Sequence, residues 1–165
     1  MIRTVLFTIA LVQIFACGLP ARYGKIQDNK NNNVLPASIP SENYELMGII
    51  NEWLGTPYEY GGNSQRGIDC SGFTALIMSE VYDLKIPRTA LDQYNSGGRL
   101  RRGDLQVGDL VFFRDIRSRG IDHVGIYLGD NRFAHATESA GVVISDLAEE
   151  YYNQRFSGGR RYIHE

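Results

Sequence analysis

Three residues of this chain have side chains that could carry out nucleophilic chemistry together. Cys70 lies near the predicted start of a helix, and His123 and His135 follow far downstream. A cysteine attacks only as the thiolate, and its ordinary pKa is about 8.5. The N–H groups of a helix start can lower that pKa, and so can a histidine that takes the proton. The combination indicates a cysteine hydrolase.

The helix that carries Cys70 is predicted from apolar residues at helical spacing. Asp69 is a suitable N-cap, which places Cys70 in the first turn. An earlier helix is predicted to begin at Ser41 and end at Gly55, and residues 89–95 are predicted to form a short third one. The apolar stripe of the central helix consists of Phe73, Leu76, Ile77, Val81 and Leu84.

After Asp109 the apolar pattern changes from helical spacing to that of strands. The predicted strands are residues 110–113, 124–128, 132–136, 142–144 and 161–163. Helices followed by an antiparallel sheet define the α+β class. We therefore predict N-terminal helices packed on a C-terminal antiparallel sheet of about five strands.

The two histidines fall on a predicted hairpin, so their separation depends on its turn. If residues 129–131 form a three-residue turn, Gly125 pairs with His135 and His123 becomes the diagonal neighbour of His135. Their Cα atoms are then roughly 7–8 Å apart. That separation suits a base and the group that orients it, and it also suits two ligands of a zinc site. A two-residue turn would shift the pairing by one residue.

The N-terminus is typical of an exported protein. Residues 5–16 are almost entirely apolar, a run of about 12 residues, whereas a membrane-spanning helix needs about 20. The run ends at Cys17 in a segment that resembles a bacterial lipobox, which implies cleavage before Cys17 and its acylation. Residues 1–16 are then a lipoprotein signal peptide, residues 17–40 a lipid-anchored polar tether, and residues 41–165 the catalytic domain. An ordinary secretory signal or an uncleaved anchor are the alternatives.

Composition narrows the possible functions. The chain has 165 residues, of which 43% are hydrophobic and 22% are charged, as in a single globular domain. A net charge of -2 without a sustained basic segment argues against nucleic acid as a partner. If Cys17 is lipidated, Cys70 has no disulfide partner, so its thiol is either buried and inert or used chemically.

Each of these residues also has a simpler interpretation. A cysteine near a helix start is often a small buried hydrophobic residue, and a histidine on a strand is often merely structural. A zinc-binding module formed by Cys70, His123 and His135 is a further alternative. His164, in the C-terminal tail, has no chemical context.

Several short segments along most of the predicted domain form a family pattern. They are Gly55-Thr56-Pro57-Tyr58, Tyr60-Gly61-Gly62, Gly67-Ile68-Asp69-Cys70-Ser71-Gly72-Phe73, Ile86-Pro87-Arg88-Thr89, Gly108-Asp109-Leu110-Val111-Phe112-Phe113, His123-Val124-Gly125-Ile126-Tyr127 and Phe133-Ala134-His135-Ala136. Together these segments resemble the NlpC family of papain-like cysteine peptidases, which cut bacterial cell-wall peptides. The C-terminal stretch 151–162 is similar to that of the Spr-like murein endopeptidase lipoproteins of this family.

The resemblance implies a papain-like fold and a role for each residue of the predicted site. Cys70 would be the nucleophile, His123 the general base, and His135 the group that orients His123. Tyr58 and the backbone N–H of Cys70 would form the oxyanion hole.

Two residues beside the nucleophile are implied to bind substrate. Asp69 would grip a free amine of the peptide, although it is also explained as a plain helix cap, and Ser71 would line the same site. The resemblance implies no metal and no cofactor.

The resemblance further implies peptidoglycan stem peptides as the substrate, cleaved within a stem at γ-D-glutamate or at a D-alanine cross-link. The protein would be a monomer on the outer membrane, anchored by its lipid and facing the periplasm. The alternatives are a non-catalytic envelope lipoprotein that binds cell-wall peptides, and an amidase or acyltransferase with a papain-like fold.

Overall fold

The computed structural model describes residues 41–163. The predicted signal peptide and tether, including Cys17, and the C-terminal His164 lie outside the described residues. Within residues 41–163, no helix combines the length and the apolar character needed to cross a membrane.

The helices of the described chain begin where the sequence provides caps. Asp69 caps α2 as predicted, because its carboxylate accepts the N–H of Gly72 at 2.6 Å. Thr89 caps α3 through the N–H of Asp92 at 3.2 Å. The helix α4 was not predicted from the sequence. The α-helices are α1 (Ser41–Trp53), α2 (Cys70–Tyr82), α3 (Ala90–Ser96) and α4 (Glu150–Arg155).

An antiparallel sheet of six strands follows the first three helices, in the order β3-β8-β4-β5-β6-β7. Two very short strands, β1 and β2, pair with each other before α2. The α+β class is confirmed. The strands are β1 (Asn63–Ser64), β2 (Gly67–Ile68), β3 (Gly98–Leu100), β4 (Leu110–Arg114), β5 (Ile121–Gly129), β6 (Arg132–Thr137), β7 (Gly141–Asp146) and β8 (Phe156–Arg161).

The sheet differs from the prediction at one edge. The edge strand β3 was missed, and the last strand, predicted at residues 161–163, instead covers Phe156–Arg161. Neither strand has the alternating apolar residues that sequence analysis uses, since β3 has three residues and β8 contains Gly158 and Gly159. Pairing with β4 decides the position of β8, and Leu105 packs where a side chain at Gly159 would lie.

The central strand β4 is buried on both faces, which explains its continuous apolar sequence. Leu110 and Phe112 belong to the core between the sheet and the helices α1 and α2. Val111 and Phe113 point the other way, into a second cluster that includes residues of α4 and the segment before it. The sheet is therefore covered by helix on both sides.

The hairpin that carries the histidines reaches the predicted pairing through a different turn. The turn has two residues, Asp130 and Asn131, with φ angles of 48° and 60°. A register shift between Tyr127 and Gly129 compensates for the missing residue. Continuing the observed register by one pair therefore sets Gly125 opposite His135, as predicted.

We expect Gly141→Ala to lower the free energy of unfolding by at least about 2 kcal/mol. The φ angle of Gly141 is +69°, which costs a residue with a Cβ about 1–2 kcal/mol. An added Cβ would also lie 2.1 Å from the carbonyl oxygen of Thr56. Urea unfolding checks this, with Gly55→Ala (φ +80°, nothing within 4 Å) as the control for strain alone. Equal losses in both variants would show that the contact with Thr56 contributes nothing.

Candidate active site

A cavity of about 830 Å³ borders the N-terminus of α2, where Cys70 lies. Its wall comes from five parts of the chain: the loop around Tyr58, residues 69–71 at the start of α2, the segment 88–91, residues 116–122 at the end of the β4–β5 connection and the start of β5, and Glu138. Cys70 itself is only 5% exposed, and its thiol is not in a disulfide. The predicted nucleophile is therefore recessed in the wall of a cleft large enough for part of a peptide.

Burial dominates the acidity of Cys70. Loss of solvent raises the pKa of the thiol to about 11, although the backbone N–H groups of Val124 and Ser71 act in the opposite direction. The expectation that the helix start would lower this pKa is therefore not met, because desolvation outweighs the N–H donors. The thiol is neutral at pH 7 until a base takes its proton.

The two predicted histidines are in direct contact in the interior of the protein. Nε2 of His123 lies 2.7 Å from Nδ1 of His135, and the rings are nearly perpendicular. Burial lowers the pKa of His123 to about 4. Burial, together with the neighbouring His123, also holds the pKa of His135 well below its usual value. Both imidazoles are therefore neutral at pH 7.

One nitrogen of this pair has no partner. Among the buried side-chain nitrogen and oxygen atoms of residues 41–163, Nδ1 of His123 is the one without a hydrogen-bond partner. The next residue, Val124, directs its backbone N–H to the sulfur of Cys70. The backbone of β5 therefore contacts the thiol at the residue next to His123, while Nδ1 of His123 makes no hydrogen bond within the described residues.

A β-bulge lies directly before His123 in β5. Phe113 pairs with His123, but the register then shifts, so Asp122 is left without a partner in β4. The carboxylate of Asp122 instead accepts the backbone N–H groups of residues 116–118 at 2.6–3.1 Å. The same irregularity therefore leaves Asp122 free to hold the loop that borders the cleft.

The carboxylate of Asp69 is saturated by protein donors. Oδ1 accepts the N–H of Gly72 and one nitrogen of Arg88 at 2.8 Å. Oδ2 accepts the N–H of Gly61 at 2.8 Å and the second nitrogen of Arg88 at 2.9 Å. The hydroxyl of Ser71 donates to Oδ1 at 3.3 Å. Of its two predicted roles, the geometry accounts for that of a helix cap, which also ties α2 to the neighbouring loops.

Tyr58 lines the same cavity and is held by Arg117. Arg117 donates a hydrogen bond to its hydroxyl, and the guanidinium carbon lies 5.2 Å from the centre of its ring. Nε of Arg117 is 2.6 Å from Oε1 of Glu138. Burial raises the pKa of Tyr58 to about 12, with a further rise from Cys70 and a fall from Arg117. Tyr58 therefore keeps its phenolic proton at pH 7.

A second cavity of about 250 Å³ lies beside His123. Four residues line both cavities and stand between the two spaces: Tyr58, Ile116, Arg117 and Glu138. The remaining wall of the smaller cavity comes from His123, from Ala136, Thr137 and Ser139, and from Tyr151 and Tyr152 of α4.

The zinc alternative lacks a ligand set in the described chain. Among residues 41–163, no three side chains of the types His, Cys, Asp and Glu are grouped so that they could hold a metal ion. Nε2 of His123 and Nδ1 of His135 are instead hydrogen-bonded to each other.

Sequence analysis assigned no role to the cleft residues Arg88, Arg117 and Glu138. Arg88 could have been found, because it lies in one of the segments that carry the family resemblance. Arg117 and Glu138 lie in loops without periodic pattern, and no sequence signal brings them together. Their ion pair depends on how the β4–β5 and β6–β7 connections meet over the cleft.

Comparison with known proteins finds relatives of this sequence. The sequence is 42% identical over 118 residues to a probable endopeptidase NlpC homolog of Haemophilus influenzae, covering 72% of this chain and 62% of that protein. It is 39% identical over 137 residues to the murein DD-endopeptidase MepS/murein LD-carboxypeptidase of Escherichia coli, covering 83% and 70%. The chain thus spans less than two thirds of the first relative.

A solved structure shows the same fold. The crystal structure of an NLP/P60 family protein similar to lipoprotein, from Staphylococcus aureus, matches with a TM-score of 0.69 and 32% identity, over 81% of this chain and 46% of that one. The model of the NlpC/P60 family matches residues 55–161, a range that includes Cys70 and both histidines. The chain therefore belongs to the NlpC/P60 family.

Proposed function

We propose that this protein is a peptidoglycan endopeptidase that hydrolyses amide bonds of cell-wall stem peptides or their cross-links through Cys70. The observation that carries the proposal is the buried pair of His123 and His135, which is followed in β5 by Val124, whose backbone N–H is directed to the sulfur of Cys70. In this pair Nδ1 of His123 is buried and unpartnered, while Nε2 is bonded to His135. The relative from Haemophilus influenzae is a probable endopeptidase and that from Escherichia coli a murein DD-endopeptidase, and the second of these names supports the substrate class.

In the first step His123 acts as the general base. Its Nδ1 takes the thiol proton of Cys70, and the sulfur forms a bond to the scissile carbonyl carbon. The negative charge moves to the carbonyl oxygen, where the backbone N–H of Cys70 and the hydroxyl of Tyr58 donate hydrogen bonds. Each such donor contributes about 3 kcal/mol elsewhere.

In the later steps the same imidazole returns the proton. Protonated His123 gives its Nδ1 proton to the leaving amine as the carbon–nitrogen bond breaks, and a thioester of Cys70 remains. His123 then deprotonates a water molecule that attacks the thioester. The carboxylic acid leaves as the carbon–sulfur bond breaks, and the thiol regains its proton.

The surroundings of Cys70 suit a peptide that passes through the cleft. The larger cavity lies on the side of Asp69 and Ser71, and the smaller one on the side of His123. We assign Asp69 and Ser71 to substrate binding mainly through the wall that they form, since the carboxylate of Asp69 is already occupied by Arg88.

Digestion of purified peptidoglycan with the full chain, followed by mass spectrometry of the released muropeptides, tests the proposal. Monomers released from cross-linked dimers would identify cleavage of the cross-link, and shortened stems would identify a γ-D-glutamyl cut. Both products should be absent with Cys70→Ala. Binding without release by the wild type would support the non-catalytic alternative, and transfer to an added amine or alcohol would support an acyltransferase.

We expect Tyr58→Phe to lower kcat by about 10²-fold, with a smaller change in KM. Arg117 donates to the tyrosine oxygen, so the phenolic proton is available for the oxyanion. Steady-state kinetics on a cross-linked muropeptide checks this. Tyr60→Phe is the control, because Tyr60 is 80% exposed. A kcat unchanged in Tyr58→Phe would remove Tyr58 from the oxyanion hole.

We further propose that Cys17 is acylated and anchors the monomeric protein to the outer membrane, facing the periplasm. The lipobox-like end of the apolar leader supports this, and the polar residues 18–40 would let the domain reach the cell wall. Radiolabelled palmitate should enter the wild type but not Cys17→Ala, and membrane fractionation should show the variant released. Labelling of Cys17→Ala would contradict the assignment.

A further inference from the structure

The hydrogen-bonded row that begins at His123 continues beyond His135. Nε2 of His135 lies 2.9 Å from the hydroxyl oxygen of Ser145 and 3.5 Å from that of Tyr152. The side chains of Ser145 and Tyr152 are also within hydrogen-bonding reach of each other. Ser145 is on β7 and Tyr152 on α4, so two further elements of the fold meet the buried histidine pair.

The hydrogen bonds of this row can run in either of two directions, because each hydroxyl and each neutral imidazole can both donate and accept. In the outward direction, Nε2 of His123 donates to His135, Nε2 of His135 donates to Ser145, and Ser145 donates to Tyr152. In the inward direction all these bonds reverse, and Nδ1 of His123 carries a proton. A protonated Nδ1 cannot accept the proton of Cys70, so only the outward direction is competent.

The surroundings of Nδ1 favour the outward direction. No acceptor for an N–H at this position is present within residues 41–163. A proton there would leave a buried donor unsatisfied, at a cost of about 1–3 kcal/mol. Tyr152 stands at the rim of the smaller cavity, where its own hydroxyl proton can be directed away from the row.

We propose that Ser145 is a positioning residue that accepts the Nε2–H of His135 and donates its own proton to Tyr152, which keeps Nδ1 of His123 free to act as a base. The inference rests on the proposed function, but it concerns the tautomers of the two histidines, which can be measured without substrate. Nothing is transferred along the row during the reaction, since Ser145 acts by orientation alone.

The test combines nitrogen-15 NMR of histidine-labelled protein with kinetics. The nitrogen chemical shifts distinguish an imidazole protonated at Nε2 from one protonated at Nδ1, and the same spectra report whether each variant is folded. In the wild type both histidines should be protonated at Nε2. In Ser145→Ala we expect mixed tautomers of His123, with kcat lowered about tenfold or more and KM nearly unchanged.

Three further variants separate positioning from a general effect on the fold. Ser145→Thr retains the hydroxyl and should restore both the tautomer and most of kcat. Tyr152→Phe keeps the ring against Phe133. It should change the tautomers and lower kcat in the same direction as Ser145→Ala, but by less. Ser157→Ala removes a strand hydroxyl that bonds to Arg114 away from the cleft, and it should leave both readouts unchanged.

Two results would overturn the inference. One is a Ser145→Ala variant that keeps the wild-type tautomers and at least half of kcat. The other is a Ser145→Thr variant that is impaired as strongly as Ser145→Ala. If the wild type releases no peptide from peptidoglycan, the proposed function fails, yet the tautomers still decide the role of Ser145.

Discussion

His123→Ala is expected to lower kcat for peptidoglycan cleavage by at least about 10³-fold. General base and acid catalysis by one residue contributes about 10²–10⁴-fold, and His123 acts in both halves of the proposed reaction. The high pKa of Cys70, about 11, adds to this dependence because few thiolates form at pH 7 without a base. Steady-state kinetics on a defined cross-linked muropeptide measures the loss.

Two comparisons make the His123 result specific. In His135→Ala the value of kcat should fall less, by about 10–100-fold, since His135 only orients the base. Imidazole added to His123→Ala should restore part of the activity, because the smaller cavity borders the vacated position. The assignment of His123 fails if His123→Ala keeps more than a tenth of kcat, or if His135→Ala is the more damaged variant.

Asp69→Ala is expected to lower the free energy of unfolding by at least about 3 kcal/mol. The side chain of Arg88 is 44% exposed, so most of the cost comes from the two backbone N–H groups, since a desolvated donor left without its acceptor costs about 1–3 kcal/mol. Asp69 is only 5% exposed, and the substitution leaves Arg88 and the N–H groups of Gly61 and Gly72 without their acceptor. Urea unfolding followed by circular dichroism measures the change.

A variant of a second helix cap, and the pH dependence of unfolding, separate the contributions that Asp69 makes to stability. Thr89→Ala removes a cap on the surface and should cost only about 1 kcal/mol. Burial raises the pKa of Asp69, but Arg88 and the two N–H groups outweigh it and leave the pKa below its ordinary value. Its stabilisation is therefore complete above about pH 4 and is lost as the pH falls through the folded-state pKa.

The stability of Asp69→Asn should lack the part of the pH dependence that comes from the carboxylate of Asp69. The urea midpoint of the wild type should fall below pH 4 more steeply than that of the variant. Parallel curves for the two proteins would mean that the carboxylate is not the group that titrates.

The sequence alone determined the local structure around the nucleophile and the class of the fold. A capping aspartate, a cysteine directly after it and an apolar stripe are all contained within one helix, so short-range physics specified α2 and the place of Cys70. The pairing of Gly125 with His135 was also predictable, although the turn was not, because a bulge at residues 127–129 compensates for the shorter connection. These features depend on residues close together in the chain.

Only the tertiary structure decided what surrounds the reactive atoms. The strand β8 is defined by its pairing with β4 and not by its own glycine-containing sequence. Burial reversed the expected direction of the pKa of Cys70, since desolvation depends on everything packed around the thiol. The contacts of Arg117 with Glu138 and of Ser145 with His135 join distant segments, and local sequence carries no information about contacts that only the folded chain creates.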